Sequence, residues 1–84
     1  MEIHDDRDIE RILLKKLHTL GCWGTRHVSE SKLPKGFPSH VKKRVMDIAE
    51  DLRKKGILIK RPSSHDYQWY LNWDSKREIE ERIK

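Results

Sequence analysis

Ser39, His40, Lys42, Lys43 and Arg44 crowd the front of one helical stretch, SHVKKRVMDIAEDLRKKG, residues 39 to 56. Their chemistry is anion binding. A helix N-terminus offers unpaired backbone N–H groups and the positive end of its dipole. Lysine and arginine add charged donors there. Between Ser31 and Met46 stand Lys32, Lys35, Lys42, Lys43 and Arg44, with no acid among them. From Asp47 onward acids appear, at Asp47, Glu50 and Asp51. The front is expected to meet an anionic partner and the middle to face water. The bland reading is a solvated face, with Lys43 and Asp47 an ordinary i,i+4 pair.

Other reactive residue types carry weaker patterns. His18, Cys22 and His27 bring three metal-ligand types close in sequence. Zinc sites ordinarily use four ligands in paired spacings. Gly21 and Gly24 break any shared helical face, so no metal is expected. Ser64-His65-Asp66 names the members of a catalytic triad. Adjacent side chains diverge and cannot form a relay, so no catalysis is expected. The four glycines, Gly21, Gly24, Gly36 and Gly56, are too scattered for a phosphate loop. No cofactor is implied.

These residues need elements to hold them. Ile9, Ile12, Leu13, Leu17 and Leu20 recur at helical spacing, predicting a helix over 6–20. Asp5 or Asp6 would cap it and Gly21 would end it. Lys16 interrupts the stripe and is expected to snorkel to water. Residues 22–28 read as a turn and a short extended piece. Ser29 caps a short helix over 30–33, which Pro34 stops. Val41, Val45, Ile48, Ala49 and Leu52 give the helix of residues 39–55 its buried face. With Val45 at the centre of that face, Ser39, His40, Lys43 and Arg44 lie outward or on the flanks, and Lys42 at the edge. Gly56 closes the helix.

Then the period becomes two. Residues 57–61 and 67–73 read as strands, with Tyr67, Trp69, Leu71 and Trp73 on one face. The polar loop between them predicts a hairpin, with Lys60, Arg61, Ser63, Ser64 and His65 at its tip. Asp74 or Ser75 starts a last helix over 75–84, with Ser75 and Glu78 as a capping box. Trp23 and Trp69 are assigned to the core. Trp73 is the candidate for an interface.

Composition sets the class. Eighty-four residues hold one domain, 1–84, with its core over about 6–73. Charged residues make up 39% and hydrophobic ones 35%, and the net charge is +5. The basic excess suits an anionic partner. A lone cysteine, Cys22, allows no intrachain disulfide and points to a reducing compartment. No signal peptide or membrane span is read, so a cytoplasmic location is expected. Asn72 and Gln68 are the only side-chain amides among many Lys, Arg and Glu, a pattern of heat-adapted proteins.

The order is helix, extended piece, short helix, long helix, hairpin, helix. It resembles the winged helix-turn-helix over residues 6 to 73. The likeness is sharpest in LRKKGILIKR-PSSHD-YQWYLN. The whole is similar to small archaeal winged-helix proteins taken to be transcription regulators. The resemblance implies an α+β fold: a three-helix core, a two-stranded β-hairpin wing and an extra C-terminal helix. It implies double-stranded DNA binding, with the 39–55 helix in the major groove. Arg44 or Lys43 would donate to a guanine edge, and Ser39 and His40 would meet bases or phosphates. Lys35, Lys42, Arg61, Ser64 and His65 complete the expected DNA surface, with the 61–66 wing on the backbone. A homodimer through the terminal helices, by Ile79 and Ile83, is the expected assembly. The alternative is a protein–protein interaction module without DNA binding, since winged helices serve both ends.

Overall fold

The computed structural model describes residues 5–84. Helix α1 spans Asp6–Leu20, strand β1 Val28–Ser29, helix α2 Lys42–Lys54, strand β2 Leu58–Pro62, strand β3 Tyr67–Leu71 and helix α3 Lys76–Arg82. Single 3₁₀ turns cover Glu30–Lys32, Ser39–Val41 and Trp73–Ser75. The class is α+β, with three α-helices and one antiparallel three-stranded sheet.

The ends of α1 and α2 follow from local chemistry. The Asp5 carboxylate accepts from the Asp8 N–H at 2.9 Å and caps α1. Both helices leave through a left-handed glycine, Gly21 at φ 70° and Gly56 at φ 80°. Each is followed by a 6→1 bond, Cys22 N–H to Leu17 O at 3.0 Å and Ile57 N–H to Leu52 O at 2.9 Å. Both bonds join buried apolar residues, the pairing that accompanies this glycine stop.

The sheet order is β1-β3-β2. The tight hairpin pairs Lys60 with Trp69 and Pro62 with Tyr67. On the other edge of β3, Val28 pairs with Trp69. The expected two-stranded wing is thus a three-stranded sheet, because the extended piece before Ser29 finds a free β3 edge. Trp69 and Leu71 are buried, packed with the apolar stripes of α1 and α2.

Four expectations need correction. The short helix over 30–33 is one 3₁₀ turn, Glu30–Lys32, too short to bury a face of its own. Ser75 forms no capping box: its hydroxyl donates to Gly56 O at 3.0 Å, beside the Asn72 amide at 2.8 Å on the same carbonyl. Trp73 is not in β3 but begins the 3₁₀ turn, where the Asn72 side chain accepts from Asp74 N–H. Lastly, Ile79 is 0% exposed and Ile83 packs against the same core. Arg82 reaches Glu10 at 2.9 Å, so α3 folds back on α1. Ile79, expected to join two copies, is thus buried within one chain, and Ile83 is half-buried there.

Among the described residues no helix is long and apolar enough to cross a membrane.

Candidate functional site

The segment from Lys32 to Val41 approaches α2 through turns, and Lys16 fixes its position. Instead of reaching water, the Lys16 ammonium donates to three backbone carbonyls, Lys32 at 3.2 Å, Leu33 at 3.1 Å and Lys35 at 2.9 Å. Burial, with the Lys35 charge in support, lowers its pKa from the ordinary 10.5. Three convergent oxygens compensate that burial. The clamp ties the middle of α1 to the turn that launches α2.

Beyond it, Lys35, Ser39, His40, Lys42 and Lys43 are all exposed. Lys35, Lys42 and Lys43 make no ion pair among the described residues. The front is therefore a cluster of solvated ammoniums beside the first turn of α2. Arg44 differs. Its guanidinium pairs with the Asp6 carboxylate at the start of α1. It lines a shallow groove with Asp6, Asp47, Ile48 and Asp51. Sequence spacing could not reveal this, because the partner is 38 positions away.

The middle of α2 does more than face water. Glu50 accepts from Arg53 and from Lys60, each at 2.8 Å. Lys60 also lies 3.3 Å from Glu30, and Glu30 accepts from the Trp69 indole N–H at 3.2 Å. The Lys60 ammonium stands 4.3 Å from the Tyr67 ring centroid. Lys60 was expected at the hairpin tip. It is instead a half-buried strap joining hairpin, α2 and the Glu30 turn. Strand alternation could have found this: Lys60 is the cross-strand neighbour of Trp69 and shares its face. Hydrogen bonds from Lys60, then Arg53, hold the Glu50 carboxyl below its ordinary pKa. The bond to Glu50 first, and that to Glu30 as well, raise the Lys60 ammonium, against the opposing effect of burial.

At the hairpin tip Arg61, Ser64 and His65 are exposed. Asp66 accepts from Tyr67 N–H at 2.8 Å and Ser31 N–H at 3.2 Å. Those bonds, Tyr67 first, lower its pKa. They dock the tip onto the turn at residue 31. In Ser64-His65-Asp66 the carboxylate is thus committed to backbone donors.

His18, Cys22 and His27 serve separate ends. Cys22 is buried, and burial pushes its thiol up. His18 lies 3.4 Å from Glu80 and edge-on to Trp23, while His27 is exposed. Among the described residues no group of three or more His, Cys, Asp or Glu is arranged to hold a metal ion.

No protein-family model, curated protein or solved structure matches the chain.

Proposed function

We propose that this chain is a winged-helix domain that binds double-stranded DNA and acts as a cytoplasmic transcription regulator. The observation that carries the reading is the front of α2: Lys35, Lys42 and Lys43 exposed, without acid partners among the described residues, around a helix N-terminus. Ammoniums held near a helix N-terminus suit phosphates. In the proposed pose the 3₁₀ turn Ser39–Val41 and the first turn of α2 enter the major groove, where Ser39, His40 and Lys43 reach bases or phosphates. Arg61, Ser64 and His65 on the hairpin meet the backbone. The Lys60 strap supports this pose by fastening the hairpin to α2. Arg44 contributes less than its position suggests, because Asp6 already neutralises it.

That same pair favours a second reading, a protein-interaction module. An arginine held by its own chain's carboxylate is poorly placed to meet phosphate.

Fluorescence anisotropy on random-sequence duplex DNA across a salt series decides between them. A binder making ~4–6 phosphate contacts gives a log–log salt slope of about −4 to −5. Lys42→Ala/Lys43→Ala should make the slope shallower by about 2. Folded wild-type protein that shows no binding at low salt overturns the DNA reading and leaves the interaction module.

A further inference from the structure

Lys35 stands on the approach to α2 where the core holds the chain least. Leu33 and Phe37, on either side, are buried among the apolar residues of the helices. Between them Lys35 and Gly36 are exposed, and Gly36 stands at φ 95°, where a glycine leaves the backbone free to move. Among the described residues two hydrogen bonds hold the Lys35 backbone. Its N–H donates to Lys32 O at 3.1 Å, within the turn itself. Its carbonyl accepts from the Lys16 ammonium at 2.9 Å, the shortest of the three bonds that Lys16 makes. Only the second reaches another element. The charges nearby suit an anion. Lys15, next to Lys16 on α1, and Lys32 are exposed and make no ion pair among the described residues. Glu30, the acid nearest to Lys35 in sequence, is taken by Lys60. Burial first, then the Lys35 charge, lowers the Lys16 pKa, so the two ammoniums lie within range of each other.

We propose that Lys16 is a positioning residue for DNA binding: it touches no phosphate itself but sets the backbone from which Lys35 reaches one. The inference rests on the DNA reading and deepens it. A lysine on a loose turn must be ordered when it meets a phosphate, and that ordering subtracts from affinity. The Lys16 clamp does the ordering in the free protein. An ammonium suits the task, since its three donors radiate from one atom and three carbonyls converge on it. A phosphate on Lys35 would also offset the repulsion between Lys35 and Lys16, so clamp and contact reinforce each other.

A double-mutant cycle tests it: the affinity of wild type, Lys16→Met, Lys35→Ala and the double variant for random-sequence duplex DNA, by fluorescence anisotropy. Each is measured across a salt series at a temperature where circular dichroism shows it folded. Lys35→Ala should bind about three- to fivefold more weakly at low salt, with a salt slope shallower by about 1. Lys16→Met alone should bind about threefold more weakly. With Lys35 already removed, the same change should cost less than about 1.5-fold, because Lys16 acts only through that contact. A merely structural lysine would leave the affinity of the folded Lys16→Met protein at the wild-type value. A lysine that met phosphate itself would cost as much without Lys35 as with it. Either result overturns the assignment while the DNA reading stands, and so does a Lys35→Ala protein that binds like wild type. Lys16→Gln, which cannot bridge three carbonyls, takes the place of Lys16→Met if that variant does not fold. Folded wild type that binds no DNA overturns both the DNA reading and the role of Lys16 in it.

Discussion

Lys60 shows how far one side chain's role can sit from its local sequence. In KRPSSHD it belongs to a basic tip, yet its side chain is only 22% exposed and its ammonium lies between Glu50 and Glu30. Lys60→Met keeps an unbranched stem against Tyr67 and Trp69 but leaves two half-buried carboxylates without their shared cation. The expected loss is about 1–2 kcal/mol. That corresponds to a fall in Tm of roughly 5–10 °C for a domain of this size. The pH dependence has two edges. Glu50 has its pKa lowered from 4.5, so its contribution is present above 4.5 and disappears as pH falls through the folded value. Lys60 has its pKa raised from 10.5, so its contribution is complete below 10.5 and disappears as pH rises through the folded value. Thermal melts of wild type and variant should differ by a constant amount between those edges and converge outside them. A gap that stays constant into acid would show that the strap is not ionic.

At the scale of elements, much was legible. Both long helices ended where a glycine followed an apolar stripe, and the hairpin lay where the period changed to two. These are local rules with local causes. The Glu30 turn and Ser75 were misread because their partners are distant. A 3₁₀ turn and a four-residue helix have the same capping residues, and Ser75 prefers the Gly56 carbonyl, 19 positions away, to its own helix. Lys16 belongs to the same class. An interrupted stripe told of a polar side chain on a buried face, but not of the three carbonyls it would find. Lys16→Met should therefore loosen the turn at 32–37, with hydrogen exchange there rising about tenfold while the centre of α1 stays protected. Its cost in stability should be modest, about 1 kcal/mol, since the variant also escapes the burial of a charge. Lys16→Arg should not rescue it, because a planar fork does not fit three oxygens converging on one point. If exchange at residues 32–37 is unchanged in Lys16→Met, the clamp does not hold that turn.

Over the whole molecule, the net charge of +5 is less informative than its division. The front of α2 and the hairpin tip carry exposed cations. Along the flank of α2 an acidic groove is lined by Asp6, Asp47 and Asp51 around Arg44. A polyanion approaching α2 is attracted by one surface and repelled by the other, which orients it before contact. Asp6 is the pivot, since it both adds to the acidic groove and holds Arg44 back. On the DNA reading, Asp6→Asn should free Arg44 for a phosphate. Affinity for duplex DNA should rise about three- to tenfold at low salt, and the salt slope should steepen by about 1. The exposed pair adds little to stability, so the melt should barely move. The variant thereby separates the two proposed functions without disturbing the fold. An interaction module has no use for a freed Arg44 against DNA, and its DNA binding should be as absent in Asp6→Asn as in wild type. A DNA binder whose affinity and slope ignore the change would have Arg44 pointing away from the duplex, leaving Lys42 and Lys43 to meet the phosphates.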